Sequence, residues 1–159
     1  MTIINVNTLE GRFSIEEKSL LAEKLTDAVM IPEIGQFVPE ARIEFQVIFS
    51  EFKPENMAVS GKLLSDISPV PDNINVHILV MDGAWTKTVR KSVIENIANA
   101  LADVSGIDKP LNSWKSTFQV IDEGSFGTGP GVLSILSLLE SGVFSAEKKS
   151  SVLNHINSL

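Results

Sequence analysis

The chain has 159 residues, 43% of them hydrophobic, which is enough apolar material for one compact domain. It contains no cysteine, which excludes disulfides and zinc–thiolate sites, and its two histidines, His77 and His155, lie far apart in sequence, so we expect no metal and no cofactor. A net charge of −7 disfavours nucleic acid and anionic membranes as partners. No segment has the apolar length of a membrane span and no signal peptide is evident, so we expect a cytoplasmic protein.

The first predicted elements are a strand, a helix and a second strand. The apolar stretch at residues 3–6 predicts the first strand. Ser14 with Glu17 three residues later predicts a capping box at the start of a helix. The helix itself is predicted by apolar residues at four-residue spacing, namely Leu21, Leu25 and Val29.

The same pattern then occurs a second time. Residues 10–14 (EGRFS) correspond to residues 82–86 (DGAWT), a shift of 72 positions, and the four residues FQVI at 45–48 recur at 118–121, a shift of 73. The second apolar stripe consists of Val93, Ile97 and Leu101. Thr86 is the predicted cap of the second helix, without a capping-box partner. Right-handed crossovers make the paired strands of each unit parallel.

This repetition predicts an α/β fold of the α+β sandwich type, with a four-stranded sheet and two helices on one face. The chain is predicted to be a single domain, with one pseudo-repeat at residues 2–61, a linker at 62–73 and a second pseudo-repeat at 74–131. Residues 132–159 are predicted to form a helical extension, with one apolar helix reaching about Glu140 and a short helix after Ser145.

The second face of the predicted sheet is mixed in character. Strand alternation assigns one set of residues to the helix-covered side: Ile43, Phe45, Val47 and Phe49. The other side is expected to carry Gln46, Ile48, Gln119 and Ile121, with Asn5 and His77 on the leading strands. A face that is half apolar and half amide is poorly suited to free solvent, so we expect a second subunit to cover it.

The stretch from Thr2 to Gly131 resembles the tautomerase superfamily, and its first unit is most similar to 4-oxalocrotonate tautomerase. The resemblance rests on the opening strand at residues 3–6 (IINV), the turn at 9–12 (LEGR) with Ser14 and Lys18 after it, and a later hairpin reaching Gly61. Fused members of this size, in the dehalogenase and macrophage migration inhibitory factor branches, are trimers. The resemblance therefore implies a homotrimer.

The resemblance also implies a reaction and a site. The family catalyses keto–enol tautomerisation of small carboxylic acids through an amino-terminal proline, and Thr2 stands at that position here. Arg12 matches a family arginine that binds the substrate carboxylate. Gln46 stands where the family has a strand arginine, and Met57 where it has a pocket phenylalanine. Thr2 and Arg12 are thus the predicted catalytic residues, and Arg12, Gln46 and Met57 the predicted substrate-binding residues.

Several alternatives stay open at this stage. If Met1 is removed, Thr2 carries a primary amine with an ordinary pKa of about 7.7 to 8.0, able to act as a base or to form an imine. If Met1 is kept, the amine lies up to roughly 3.5 Å further along the chain. Arg12 is either a carboxylate clamp or a turn arginine paired with Glu10 or Glu16. The whole protein is either a weak tautomerase or a catalytically inactive trimeric binding or assembly module.

Other features have ordinary interpretations. The two dehalogenase arginines fall on Met81 and Ala84, which argues against dehalogenation. His77 is either an acid–base group or a hydrogen-bonded interface residue. The glycines at 124–131 lack a phosphate-loop pattern and predict a turn, with Phe126 buried between subunits. The two tryptophans are predicted to be packing anchors: Trp85 and Trp114.

Overall fold

The computed structural model of the protein describes residues 2–81 and 83–158. The predictions that concern Met1 and Asp82 therefore lie outside the described residues. The elements in chain order are β1 (Thr2–Leu9), α1 (Ile15–Ile34), β2 (Phe45–Phe52), β3 (Ala58–Val59), β4 (Lys62–Leu63), β5 (Ile74–Met81), α2 (Lys87–Ser105), β6 (Trp114–Ile121), β7 (Gly127–Thr128), β8 (Gly131–Val132), α3 (Ile135–Leu139) and α4 (Ala146–Ile156). Short 3-10 helices lie at Pro39–Glu44, Pro54–Asn56 and Leu64–Asp66.

The four long strands form one mixed sheet in the order β2-β1-β5-β6. Each unit contributes a parallel pair, in which Thr2 is opposite Phe45 and Ile74 is opposite Trp114. The units meet through the antiparallel pair β1–β5, in which Thr2 is opposite Val80. The predicted fold class, a four-stranded sheet built from two β-α-β units, is confirmed.

The core lies between this sheet and the helices α1 and α2. Alternate residues of β1 and β5 are buried on the helix side, as period-two alternation requires. The predicted helix stripes are confirmed, since all six of their members are 0–1% exposed: Leu21, Leu25, Val29, Val93, Ile97 and Leu101. The largest part of the hydrophobic stabilisation therefore comes from this one layer.

Both predicted helix caps are confirmed. The Ser14 hydroxyl accepts a hydrogen bond from the Glu17 amide, and the Ser14 amide donates to the Glu17 carboxylate, which completes the capping box. Thr86 accepts from the Val89 amide at 3.3 Å. At the other ends, Gly35 and Gly106 adopt left-handed conformations that terminate α1 and α2.

The residue correspondence between the two units differs from the one that the shared FQVI sequence predicts. The first strands and the helices are related by a shift of 72, from residue 2 to 74 and from 15 to 87. The second strands and the small hairpins are related by a shift of 69, from 45 to 114 and from 58 to 127. Phe118 pairs with Ile78 and is therefore the counterpart of Phe49, four residues beyond Phe45. Because four is even, the displacement keeps each side chain on the predicted face.

The prediction for Ile43 is wrong. β2 begins only at Phe45, and Ile43 belongs to the 3-10 helix Pro39–Glu44, where its side chain is 84% exposed. Pro39 at the first position of that helix fixes the turn that delays the strand. The other residues assigned to the covered face, Phe45, Val47 and Phe49, pack against the core as predicted.

The second sheet face has the predicted mixed character. Gln46 is exposed and Ile48 is 39% exposed. His77 is half-buried, and its Nδ1 lies 2.8 Å from the hydroxyl of Thr117 on the neighbouring strand. The hydrogen-bonded interpretation of His77 is the one that this geometry supports.

The carboxyl-terminal extension packs onto the sheet ends of its own chain. α3 and α4 share a cluster with Met81 and Ala84, and Phe126 packs against that cluster from the loop before β7. Phe126 is half-buried in the single chain, and its predicted burial between subunits stays a prediction. The glycine-rich segment is a turn, as predicted. Among the described residues, no helix is long and apolar enough to cross a membrane.

Substituting Ile78→Ala should destabilise the fold strongly, because Ile78 is 0% exposed on the central strand β5. Loss of its side chain leaves a cavity and should lower the free energy of unfolding by about 2–5 kcal/mol, measured by urea denaturation. Ile43→Ala is the matched control, since it removes the same atoms from an 84% exposed site. An equal loss in both variants would contradict the assigned core.

Candidate functional site

The amino-terminal end of β1 holds a buried hydroxyl–carboxylate pair. Thr2 is 0% exposed, and its hydroxyl lies 3.0 Å and 2.8 Å from the two carboxylate oxygens of Glu33, to which it donates. Glu33 is only 7% exposed. A buried acid therefore lies next to Thr2, one of the two predicted catalytic residues.

Sequence analysis missed Glu33, although a signal for it exists. The apolar stripe of α1 runs through Leu25 and Val29 at four-residue spacing, and the next position on that stripe is Glu33. A carboxylate that continues a buried stripe must be desolvated, and such groups are common at functional sites. α1 ends one residue later, where Gly35 caps it.

Lys148, near the start of α4, places a positive charge at the same end of the sheet. Lys148 is 7% exposed, and its Nζ donates to the carbonyl oxygen of Ala84 at 3.3 Å. Ala84 follows β5, whose Val80 pairs with Thr2. This pairing explains why a residue from the carboxyl-terminal extension reaches the beginning of the chain.

Burial and charge act against each other in this group, which we call the Thr2–Glu33–Lys148 cluster. Burial raises the pKa of Glu33, while the positive amino terminus, the Thr2 hydroxyl and Lys148 act in the opposite direction. Burial lowers the pKa of Lys148, and the negative charge of Glu33 opposes that change. Each group therefore helps the other to stay charged.

The extension closes the site from one side. Leu138, Val143 and Phe144 surround a cavity of only about 30 Å³ together with Glu33 and Phe45. A backbone hydrogen bond holds this part of the extension against the end of α1, since the Ser145 amide donates to the Ile34 carbonyl at 2.9 Å.

A larger cavity, about 300 Å³ in volume, lies on the other side of Lys148. We call it the Lys148 cavity. Its walls come from the end of α1, the loop before α2 and the first turns of α4, and include Pro32, Ala84, Thr86, Thr88, Ser145 and Lys148.

Arg12 lies at the opposite end of β1. Its guanidinium donates to both carboxylate oxygens of Asp72, at 2.8 Å and 2.9 Å, and to the hydroxyl of Ser105 at 2.9 Å. The predicted partners Glu10 and Glu16 are wrong, because the linker brings Asp72 into bidentate position. At about 3.3 Å per residue, β1 extends roughly 23 Å from Thr2 to Leu9, and Arg12 lies in the turn beyond Leu9. One chain alone does not bring them together.

The remaining predicted site residues lie apart from the cluster. Gln46 is opposite Ile3, next to the start of β1, but on the second sheet face. Met57 is half-buried beyond the end of β2, and its carbonyl accepts from the Leu64 amide. Met57 is therefore at the Arg12 end of the sheet. Within the described ranges, no group of three or more His, Asp or Glu side chains is arranged to hold a metal ion.

The comparisons with known proteins agree with this architecture. Residues 3–67 match the family described as Tautomerase enzyme. This segment is 65 of the 159 residues (67 − 3 + 1) and contains the first β-α-β unit, which resembles that family. No curated protein matches it.

Several solved structures share the fold of this chain. A fused 4-OT described as a symmetric trimer is 20% identical, with a TM-score of 0.65 over 86% of this chain and 98% of the other. N1, of the cis-3-chloroacrylic acid dehalogenase family, is 15% identical, with a TM-score of 0.68 over 96% and 99%. Pt0534, inactivated by 2-oxo-3-pentynoate, is 18% identical, with a TM-score of 0.66 over 86% and 98%. These similarities show the fold that the chain shares with the three proteins.

The raised pKa of Glu33 predicts a pH-dependent stability. Unfolding moves the carboxyl group into water, where its pKa is lower, so unfolding releases a proton between the two pKa values. The free energy of unfolding should therefore fall as the pH rises from the ordinary carboxyl range through the raised value. Glu33→Gln should flatten this dependence in urea titrations at several pH values.

Glu55→Gln is the matched control for this experiment, because Glu55 is exposed on the 3-10 helix Pro54–Asn56. It should keep the slope of the unsubstituted protein. If the free energy of unfolding of Glu33→Gln has the same pH dependence as that of the unsubstituted protein, Glu33 is not the group responsible.

Proposed function

We propose that the protein is a tautomerase-like isomerase that catalyses keto–enol tautomerisation of a small 2-oxo or enol carboxylic acid. The observation that supports the proposal is that residue 2, the family's catalytic position, begins β1 beside the buried acid Glu33. We expect the activity to be weak, because threonine stands in place of the proline.

The chemistry requires a neutral amine. Removal of Met1 gives Thr2 a primary amine, which can take a proton from the carbon next to the substrate carbonyl and return it to the other end of the enol. The hydrogen bonds from its own side chain to Glu33 fix the orientation of Thr2. A 2-oxo acid is the substrate class that such an amine can enolise, and the inactivation of Pt0534 by a 2-oxo compound is in keeping with it.

We propose a homotrimer as the active form. The mixed second sheet face, with Gln46 and half-buried His77, is then covered by sister chains. In that assembly Arg12 of a neighbouring subunit serves as the carboxylate clamp, with Gln46 as a hydrogen-bond donor and Met57 as an apolar wall. Asp72 has to share the Arg12 guanidinium with the substrate, which weakens substrate binding.

A second function is favoured by a specific observation. Thr2 is fully buried, and Leu138 and Phe144 lie over the neighbouring Glu33. A substrate reaches residue 2 only if this cover moves. If the cover stays closed, the protein is a catalytically inactive trimeric binding or assembly module.

An enolisation assay with phenylpyruvate or 2-hydroxymuconate tests the enzyme proposal. Once mass spectrometry shows that Met1 is absent, Thr2→Pro should raise the rate at least about tenfold, because it restores the secondary amine of the family. Arg12→Ala should lower kcat/KM at least about tenfold, because it removes a charge-assisted bond to the carboxylate.

Asp72→Asn is the control for Arg12, since it breaks the same ion pair but keeps the guanidinium. It should retain activity that Arg12→Ala loses. Absence of enolisation in every variant would abandon the enzyme proposal and leave the binding module.

The homotrimer is tested by Ile48→Asp, which places a charge on the second sheet face where Ile48 is 39% exposed. Burying that charge in a subunit interface is unfavourable, so sedimentation velocity should show a shift from trimer to monomer. Ile43→Asp, at an 84% exposed position, should leave the trimer intact. A monomeric unsubstituted protein would contradict the assembly.

A further inference from the structure

The site around Thr2 is short of the positive charge that a carboxylate substrate needs. The positions matching family arginines carry the uncharged residues Gln46, Met81 and Ala84. Arg12 is bound to Asp72 at the far end of β1. The positive side chain next to Thr2 and Glu33 is instead Lys148, from the carboxyl-terminal extension.

We propose that Lys148 binds a carboxylate group in the Lys148 cavity, and that this group is separate from the carboxylate held by Arg12 of a neighbouring subunit in the proposed trimer. The identity of the acid rests on the proposed function, but the binding of a small carboxylate does not. Lys148 donates to the backbone carbonyl of Ala84, so its ammonium lies at the loop that follows β5.

The cavity offers the volume and the donors for such a ligand. Its volume of about 300 Å³ is at the lower end of the range for small-molecule sites. An ammonium group has three N–H donors, and one of them serves Ala84 at the rather long distance of 3.3 Å. The hydroxyls of Thr86 and Ser145 accept from the helix amides of Val89 and Lys148, so each keeps its own hydrogen to donate.

The charges around Lys148 predict how carboxylate binding depends on pH. Without ligand, the negative charge of Glu33 balances Lys148. Among the described residues, Glu44 and Glu147 are further charged groups that line the two cavities beside this pair. A bound carboxylate adds a second negative charge, which favours protonation of Glu33. Binding should therefore take up a proton and become tighter as the pH falls.

The test uses pivalate, a carboxylate without an α-hydrogen that cannot be enolised, with pivalamide as its neutral counterpart. Backbone amide shifts of Ala84, Thr86 and Lys148 are followed by NMR. Pivalate should bind saturably and pivalamide should not. Lys148→Met should weaken pivalate binding at least about tenfold, while Lys148→Arg stays within about threefold, because it keeps the charge.

Lys149→Met is the matched control. It removes the same charge from the adjacent residue, which pairs with Glu140 outside the cavity, and should bind pivalate like the unsubstituted protein. If Lys148→Met does not fold, Lys148→Gln, which keeps a donor but no charge, takes its place. The proposal is overturned if Lys148→Met, or Lys148→Gln in its place, binds pivalate as tightly as the unsubstituted protein. It is also overturned if the unsubstituted protein does not bind pivalate.

The enolisation assay separates this inference from the proposed function. Loss of pivalate binding in Lys148→Met, in a protein that enolises nothing, supports the carboxylate site and rejects the enzyme. Enolisation with an unchanged KM in Lys148→Met rejects the carboxylate site and supports the enzyme. If the protein is an enzyme and Lys148 also binds the carboxylate, Lys148→Met should raise KM at least about tenfold, with a smaller change in kcat.

Discussion

The antiparallel pairing of β1 with β5 determines where every candidate group lies. It is the junction between two parallel β-α-β units, and it places Thr2 opposite Val80. The loop that follows β5 therefore reaches the amino-terminal end of β1. Because α1 ends at the same edge, Glu33 meets Thr2 there, and α4 brings Lys148 against Ala84.

The buried charges at this edge are costly to the fold. Removing a carboxylate or an ammonium from water is unfavourable, and mutual attraction only partly offsets that cost. An apolar pair of similar volume would serve packing at least as well. Glu33 at the end of α1 and Lys148 in α4 are therefore not explained by packing alone, and both lie at the same edge of the sheet as Thr2.

Arg12 stabilises the fold at the end of β1 opposite Thr2. Its ion pair with Asp72 joins the turn after β1 to the linker, and Asp72 also accepts from the indole N–H of Trp114 at the start of β6. The first and second units are thereby tied at the edge opposite Thr2. Such a pair is partly exposed, so a substrate carboxylate can compete for the guanidinium at modest cost.

The sequence by itself determined the architecture, because each helix and strand is encoded by local periodicity and capping. Ser14 with Glu17, the stripes through Leu25 and Ile97, and the duplicated unit predict two β-α-β units on a shared sheet. Even a misaligned repeat kept the correct faces, since the displacement was even. The exception is Ile43, where a proline-initiated turn shifts the strand start.

Only the tertiary structure decided which residues form the site. Thr2 and Glu33 are 31 positions apart, and Lys148 is a further 115 positions away, so no local pattern relates them. The partner of Arg12 is 60 positions distant for the same reason. Local spacing records which face a side chain occupies, whereas the identity of its neighbours follows from strand order and from the path of the extension, and those are properties of the folded chain.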